Sequence, residues 1–211
     1  MARKTPTALP MRGNQQGAVR IRPDVLHALL AWATTEETRA YCGINVETAR
    51  GPNGTRLLAV ATDGRRLLVL SVPHGGEPIN GFVDRKTADT ALRVAKATKA
   101  EDVELHPSAE GGKQFPPWRQ IVPRDNPREN PGFVGLDPRL LADTALVQKT
   151  MAADKIGFMV GGPLDPVVMR AHDYDSSWLG LIMPRRLEPH TKGGGSIDAV
   201  PGAEEEVRAA E

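Results

Sequence analysis

The sequence predicts an α+β fold in which helices cover one face of antiparallel sheets. Three observations predict it. A unit of one strand, one helix and three strands recurs along the chain. Its helix starts carry aspartate and proline capping signals. Asp63-Gly64 splits two apolar runs in "LLAVATDGRRLLVL" (residues 57–70), which signals a short hairpin.

Each element follows from local chemistry. "AVRI" (18–21) is a short extended segment, and the helix after it begins at Pro23 with Asp24 beside it. Proline loses no needed donor in a first turn. "INGFV" (79–83) precedes the second helix, with Asp84 as N-cap, and "GFVGL" (132–136) precedes the third, with Asp137 as N-cap and Pro138 next. An aspartate cap accepts a hydrogen bond from the free N–H groups of the first turn. The strands "YCGINVET", "RLLAVAT" and "RLLVLSV" follow the first helix, and "IGFMV", "PVVMRAH" and "LGLIMP" follow the third. Asp63 and Gly64 are expected to share the positive φ of a type I′ turn. After the second helix only "VELH" reads as a strand before "EGGK" interrupts, so that copy is clipped.

Composition bounds the rest. The chain has 211 residues, enough for a real core. Its single cysteine, Cys42, leaves no internal disulfide or cysteine-based metal cluster and fits a reducing cytoplasm. No apolar run is long enough to predict a membrane span. From Glu188 onward six acids face two bases, so residues 188–211 carry −4 and residues 1–187 carry +5. Residues 1–17 read as a flexible arm and 188–211 as a disordered acidic tail.

The helices have sides. Val25, Leu26, Leu29, Leu30 and Ala33 form a core stripe on the first, and Leu140, Thr144, Val147 and Met151 one on the third. On the second, Arg85, Lys86, Arg93, Lys96 and Lys99 fall within an arc of roughly 140°, opposite Ala88, Ala91, Val94 and Ala95. That stripe suits phosphate contacts. No aromatic residue interleaves with it, which argues against stacking on single strands.

Three stretches then point to a family. "VATDGRRL" (60–67), "FPPWRQIVP" (115–123) and "LIMPRRL" (181–187) resemble, in order, three signatures of the bacterial DNA polymerase III beta subunit, the sliding clamp. Residues 18–125 resemble its middle domain, the second half being clipped, and 126–187 the second half of its final domain. The resemblance implies clamp-like repeats, a ring around duplex DNA with helices lining the hole, and no catalytic group or cofactor. It implies DNA polymerase and other proteins carrying a clamp-binding motif as partners, a clamp loader, a homo-oligomer and a cytoplasmic location. It places a partner-peptide groove at Tyr41, Thr62, Gly64, Arg65, Arg66 and Leu67, then Pro116, Gln120 and Ile121. The last segment adds Leu181, Ile182, Met183, Pro184, Arg185, Arg186 and Leu187. Leu67, Ile121, Ile182, Met183 and Leu187 would form its apolar trough, and methionine adapts to varied ligands. DNA contacts are expected first from Arg85, Lys86, Arg93, Lys96 and Lys99, then from Arg22, Arg139 and Lys149.

The chain departs from the family pattern. Two whole half-units and one clipped are legible, Gln120 stands where the family has a second arginine, and 24 residues follow Leu187. A different outcome of the same fold is a groove-bearing interaction protein that forms no ring. An enzyme is the rival class: neither G-x-S-x-G nor G-x-x-x-x-G-K-[ST] occurs. "AHDYD" (171–175) offers His172, Asp173 and Asp175 as metal ligands but reads better as a polar hairpin tip.

Overall fold

A seven-stranded antiparallel sheet carries three helices on one face, and a three-stranded sheet flanks it. The computed structural model describes residues 11–13, 17–51, 54–109, 115–123, 134–151, 156–161, 165–172 and 177–184. The chain runs β1 (Met11–Gly13), β2 (Val19–Ile21), α1 (Pro23–Trp32), β3 (Gly43–Gly51), β4 (Gly54–Thr62), β5 (Arg66–Pro73) and β6 (Asn80–Asp84). It continues through α2 (Arg85–Thr98), β7 (Val103–Leu105), a 3-10 turn at Trp118–Gln120, α3 (Pro138–Thr150), β8 (Gly157–Met159), β9 (Val167–His172) and β10 (Ser177–Ile182). The large sheet is ordered β6-β3-β4-β5-β10-β9-β8 and the small one β1-β2-β7.

The strand that joins distant parts of the chain is β10. It pairs with β5 from Ser177↔Ser71 to Ile182↔Arg66, so the sheet is continuous across residue 125. Alternation along each strand then sorts side chains by face. Leu57, Ala59, Leu68, Leu70, Met169, Trp178 and Ile182 point to the helices and join the main core with Val25, Leu26, Leu29 and Trp32 of α1. Gly180 lets α1 approach: a Cβ there would lie 3.2 Å from the Trp32 ring and 2.9 Å from the Met169 methyl.

Four expectations are corrected by this architecture. Residues 11–13 are a strand rather than part of a loose arm, because Met11 is wholly buried in the core and Arg12 pairs with Asp102 at 2.8 Å. Of segment 132–136 the described residues, 134–136, add no strand to either sheet. Val94 is 57% exposed; α2 instead buries Ala88, Leu92 and Ala95, the i, i+4, i+7 stripe. Finally, Gly64 alone takes positive φ at the hairpin, +88°, in a three-residue loop. Asp63 stays out of that region because its carboxylate accepts from the Arg65 and Arg66 N–H groups, at 2.8 and 3.0 Å, which fixes the turn by side chain. The tail lies outside the described residues.

The aspartate caps behave as their sequence suggests. Asp137 accepts from the Arg139 N–H, and Asp84 from the Thr87 N–H and hydroxyl. Burial pushes the Asp84 carboxyl up, but the hydrogen bonds from Thr87 and the Lys86 N–H outweigh it and hold it below the usual range. Its folded pKa is depressed, so its stabilisation is present above the unfolded value and lost as pH falls through the folded one. Asp84→Ala is expected to cost about 1 kcal/mol at neutral pH, shrinking toward zero under strongly acidic conditions. Denaturation midpoints of both proteins across pH check this.

Candidate functional site

Two faces collect the candidate residues. On the helix face, α1 packs between α2 and α3 and exposes only Asp24 and His27. α2 exposes Lys86, Arg93, Lys96 and Lys99, and among the described residues no ion pair ties any of these four. Lys99 is the C-cap at φ 54°. α3 exposes Arg139, held to Asp137 at 2.9 Å, and Lys149. The result is a helix surface with a basic edge along α2.

Arg85 is not part of that edge. Its guanidinium donates to the carbonyls of Leu30 and Ala33, at 2.8 and 3.0 Å, and pairs with Asp89 at 3.3 Å. α1 has no basic residue in its last turn, and the free carbonyls there need donors. Arg66 supplies another, donating to the Ala31 carbonyl at 2.7 Å. It also pairs with Asp63 at 3.0 Å and Asp143 at 2.7 Å, and lies over the Trp32 ring at 5.1 Å. Arg66 therefore faces the helices, not a groove on the outer surface. Arg22 is half-buried, paired with Asp24 and reaching the Thr150 carbonyl at 3.4 Å. Expectation and geometry differ for these three because helix ends consume their charges.

The outer face of the sheet carries a second apolar cluster. Val60, Leu67, Val69, Val168 and Leu181 are buried there, with Phe115, Trp118, Val122, Met159 and Leu179 packed on them. It draws on all three stretches singled out in the sequence. Leu67 and Leu181 are direct strand partners. Met183 continues that ladder, its N–H donating to the Arg65 carbonyl at 2.8 Å. Met183 is 40% exposed and Ile121 49% exposed. Ile182 faces the opposite way and is wholly buried against the helices, so it lines no outer groove. Arg185, Arg186 and Leu187 lie outside the described residues.

The hairpin tip borders this cluster. The Thr62 hydroxyl donates to the Arg66 carbonyl at 2.7 Å and accepts from the Gly64 N–H at 3.1 Å, so Thr62 locks the turn. Arg65 is exposed. The Tyr41 hydroxyl lies 3.1 Å from where a Gly64 Cβ would stand and is hydrogen-bonded to Arg39. Pro184 is half-buried at the other side.

Sequence reasoning missed what anchors the middle stretch. The Trp118 indole N–H donates to Glu47 at 3.2 Å, and Arg119 pairs with Glu47 at 2.6 Å while lying over the Trp118 ring at 4.5 Å. Beside that anchor is an open cavity of about 470 Å³, lined by Asn45, Glu47, Asn80, Phe115, Pro116, Trp118 and Gln120 among others. The polar–apolar alternation of "INVE" (44–47) held the signal: it puts Asn45 and Glu47 on the outer face together. Among the described residues no cluster of His, Cys, Asp and Glu is arranged to hold a metal ion. Nor is any described helix long and apolar enough to cross a membrane.

Comparison with known proteins places this geometry. No protein-family model matches the chain. Over 141 residues it is 33% identical to the beta sliding clamps of two strains of Caulobacter vibrioides. That match takes in 58% of this chain and 37% of the relative, so the chain spans little more than a third of the curated relatives it matches. Among solved structures, a Thermotoga maritima DNA polymerase III beta subunit superposes with a TM-score of 0.58 at 13% identity, covering 87% of this chain and 68% of that one. A Caulobacter crescentus beta sliding clamp gives 0.54 at 19% identity, covering 87% and 68%. A Bartonella birtlesii sliding clamp bound to griselimycin gives 0.53 at 17%, covering 86% and 69%. The antiparallel sheets with three helices are thus the sliding-clamp fold.

Proposed function

We propose that this chain, a sequence relative of the bacterial beta sliding clamps with their fold, is a processivity factor for a DNA polymerase. It holds duplex DNA against its helix face and tethers polymerases through a peptide groove on its outer face. The observation that carries the reading is the outer cluster, which three distant stretches assemble beneath the exposed Ile121 and Met183. Those two side chains, with Leu67 and Leu181 as floor, Arg65 and Tyr41 at the hairpin wall, Pro116 and Gln120 opposite and Pro184 at the end, are the groove. Leu187, Arg185 and Arg186 extend it.

On the other face, Lys86, Arg93, Lys96 and Lys99 track phosphates, with Arg139 and Lys149 as outer contacts. Such binding is indifferent to sequence and weakens steeply with salt. It lets the protein slide. The protein does no chemistry of its own and needs no cofactor.

Two domains are proposed, 18–125 and 126–187, sharing the large sheet. A homo-oligomer encircles the DNA, opened by a clamp loader, in the cytoplasm. β8 supports self-association: it is a sheet edge carrying Phe158, 53% exposed.

The test is a peptide titration. The double variant Ile121→Ala and Met183→Ala is expected to weaken a peptide from the polymerase's clamp-binding segment by tenfold or more, about 1.4 kcal/mol or greater. Its thermal midpoint should be unchanged, because both side chains are exposed. Unchanged affinity would remove the groove.

A further inference from the structure

Phosphate contacts explain only one flank of the exposed side of α2. Lys86, Arg93 and Lys96 line that flank. The other carries Thr90, Val94, Ala97 and Thr98, all exposed, and Val94 at 57% is the most exposed large apolar side chain among the described residues. Its threonines have no proton left for a phosphate. The Thr90 hydroxyl donates to the Lys86 carbonyl at 2.8 Å, and the Thr98 hydroxyl to the Val94 carbonyl at 3.0 Å. An uncharged flank gains nothing from phosphates. Beside a basic one, it suits a polypeptide that brings carboxylates and an apolar side chain together.

The chain itself holds such a segment. Residues 188–211 carry −4, and Glu204, Glu205 and Glu206 run directly into Val207. Position favours it as well as charge. The last described residue is Pro184, and its neighbour Met183 donates to the Arg65 carbonyl at 2.8 Å. In the same hairpin the Thr62 carbonyl accepts from the Thr34 N–H at 2.9 Å, and Arg85, the first residue of α2, donates to the Thr34 carbonyl at 3.3 Å. The described chain therefore stops near the start of α2. Glu204 is 20 residues beyond Pro184. A glycine-containing linker of that length averages about 25 Å end to end. The 14 residues of α2 span about 21 Å, so the acid run reaches along the helix.

We infer that residues 188–211 dock on α2 of the same chain, with Glu204, Glu205 and Glu206 against Lys86, Arg93 and Lys96, and Val207 against Val94. The tail then covers the DNA face until duplex displaces it. Duplex carries one charge per about 1.7 Å of axis, far denser than the tail, so it wins, whereas weaker polyanions are held off. The inference rests on the reading of α2 as the DNA contact, and its test separates the two.

The test changes Glu204→Gln, Glu205→Gln and Glu206→Gln together in the full chain. Without DNA, the Val94 methyl signals should differ between variant and wild type. Added salt should move them in the wild type toward the variant's positions and leave the variant's in place. The variant should bind duplex about fivefold more tightly than the wild type at about 50 mM salt, with the gap closed by about 300 mM, because the tail's ion pairs are exposed and screened. If the Val94 signals are the same in both proteins, the docking is refuted whatever the DNA affinity does; a gain in affinity alone would be repulsion of DNA by an undocked tail. A difference at Ile121 and Met183 in place of Val94 would put the tail in the outer groove and refute it equally. If Val94 moves as expected but neither protein binds duplex, the DNA reading falls and the docking stands.

Discussion

Arg66→Ala is expected to destabilise the protein by about 3 kcal/mol, the largest effect of any single charged residue in the fold. The guanidinium is 9% exposed in its side chain and holds four things at once. It fixes the hairpin through Asp63, α3 through Asp143, the end of α1 through the Ala31 carbonyl, and it covers the Trp32 ring. Removing it takes one donor each from two carboxylates and a helix terminus. The partners are partly solvated, Asp143 at 37%, which keeps the expected cost at the low end for a buried pair. Arg66→Lys should recover only a minor part, because one ammonium cannot span the same fork of acceptors. Urea denaturation with an unchanged m-value is the measurement. A loss below about 1 kcal/mol would return Arg66 to the partner-peptide groove that the family resemblance implied for it.

Reversing Lys86, Arg93 and Lys96 to glutamate is expected to cost most of the DNA affinity. Each lost phosphate contact lowers the slope of log affinity against log salt by about 0.9, so the triple variant should lose between about 2 and 3 from that slope. These side chains are exposed and, among the described residues, in no ion pair, so the fold should tolerate the change. Anisotropy titrations on duplexes of unrelated sequence, at several salt concentrations, report both quantities. An unchanged slope would mean that DNA lies elsewhere. Arg85 is left out deliberately: its charge belongs to the end of α1, and removing it would confuse unfolding with lost binding.

The contrast between Arg85 and Arg93 shows what was legible from sequence. Periodicity put both on one arc of α2, because periodicity sees angle around the axis and not what stands at either end of the helix. Arg85 is the first residue of α2 and meets α1, whereas Arg93 is mid-helix and meets solvent. The hairpin carries the same lesson. Asp63-Gly64 correctly marked a turn, but the Asp63 side chain chose which turn. Helix starts were readable because aspartate and proline act locally. The β5–β10 pairing was not, since nothing local in "RLLVLSV" or "LGLIMP" says that they are neighbours. Strand alternation separates Ile182, which faces the helices, from its neighbour Leu181 on the outer face. Asn45 and the Glu47–Trp118 anchor belong to strand and loop residues far apart in the chain.

The central claim is that the outer cluster, not the helix layer, receives partner peptides. Methyl-labelled NMR tests it most directly, because the large exposed apolar side chains lie on different faces: Ile121 and Met183 outside, Val94 on α2. On adding the polymerase peptide, the Ile121 and Met183 methyl signals should shift together and saturate at one affinity, with Val94 unmoved. A shift at Val94 with Ile121 and Met183 silent would contradict the account.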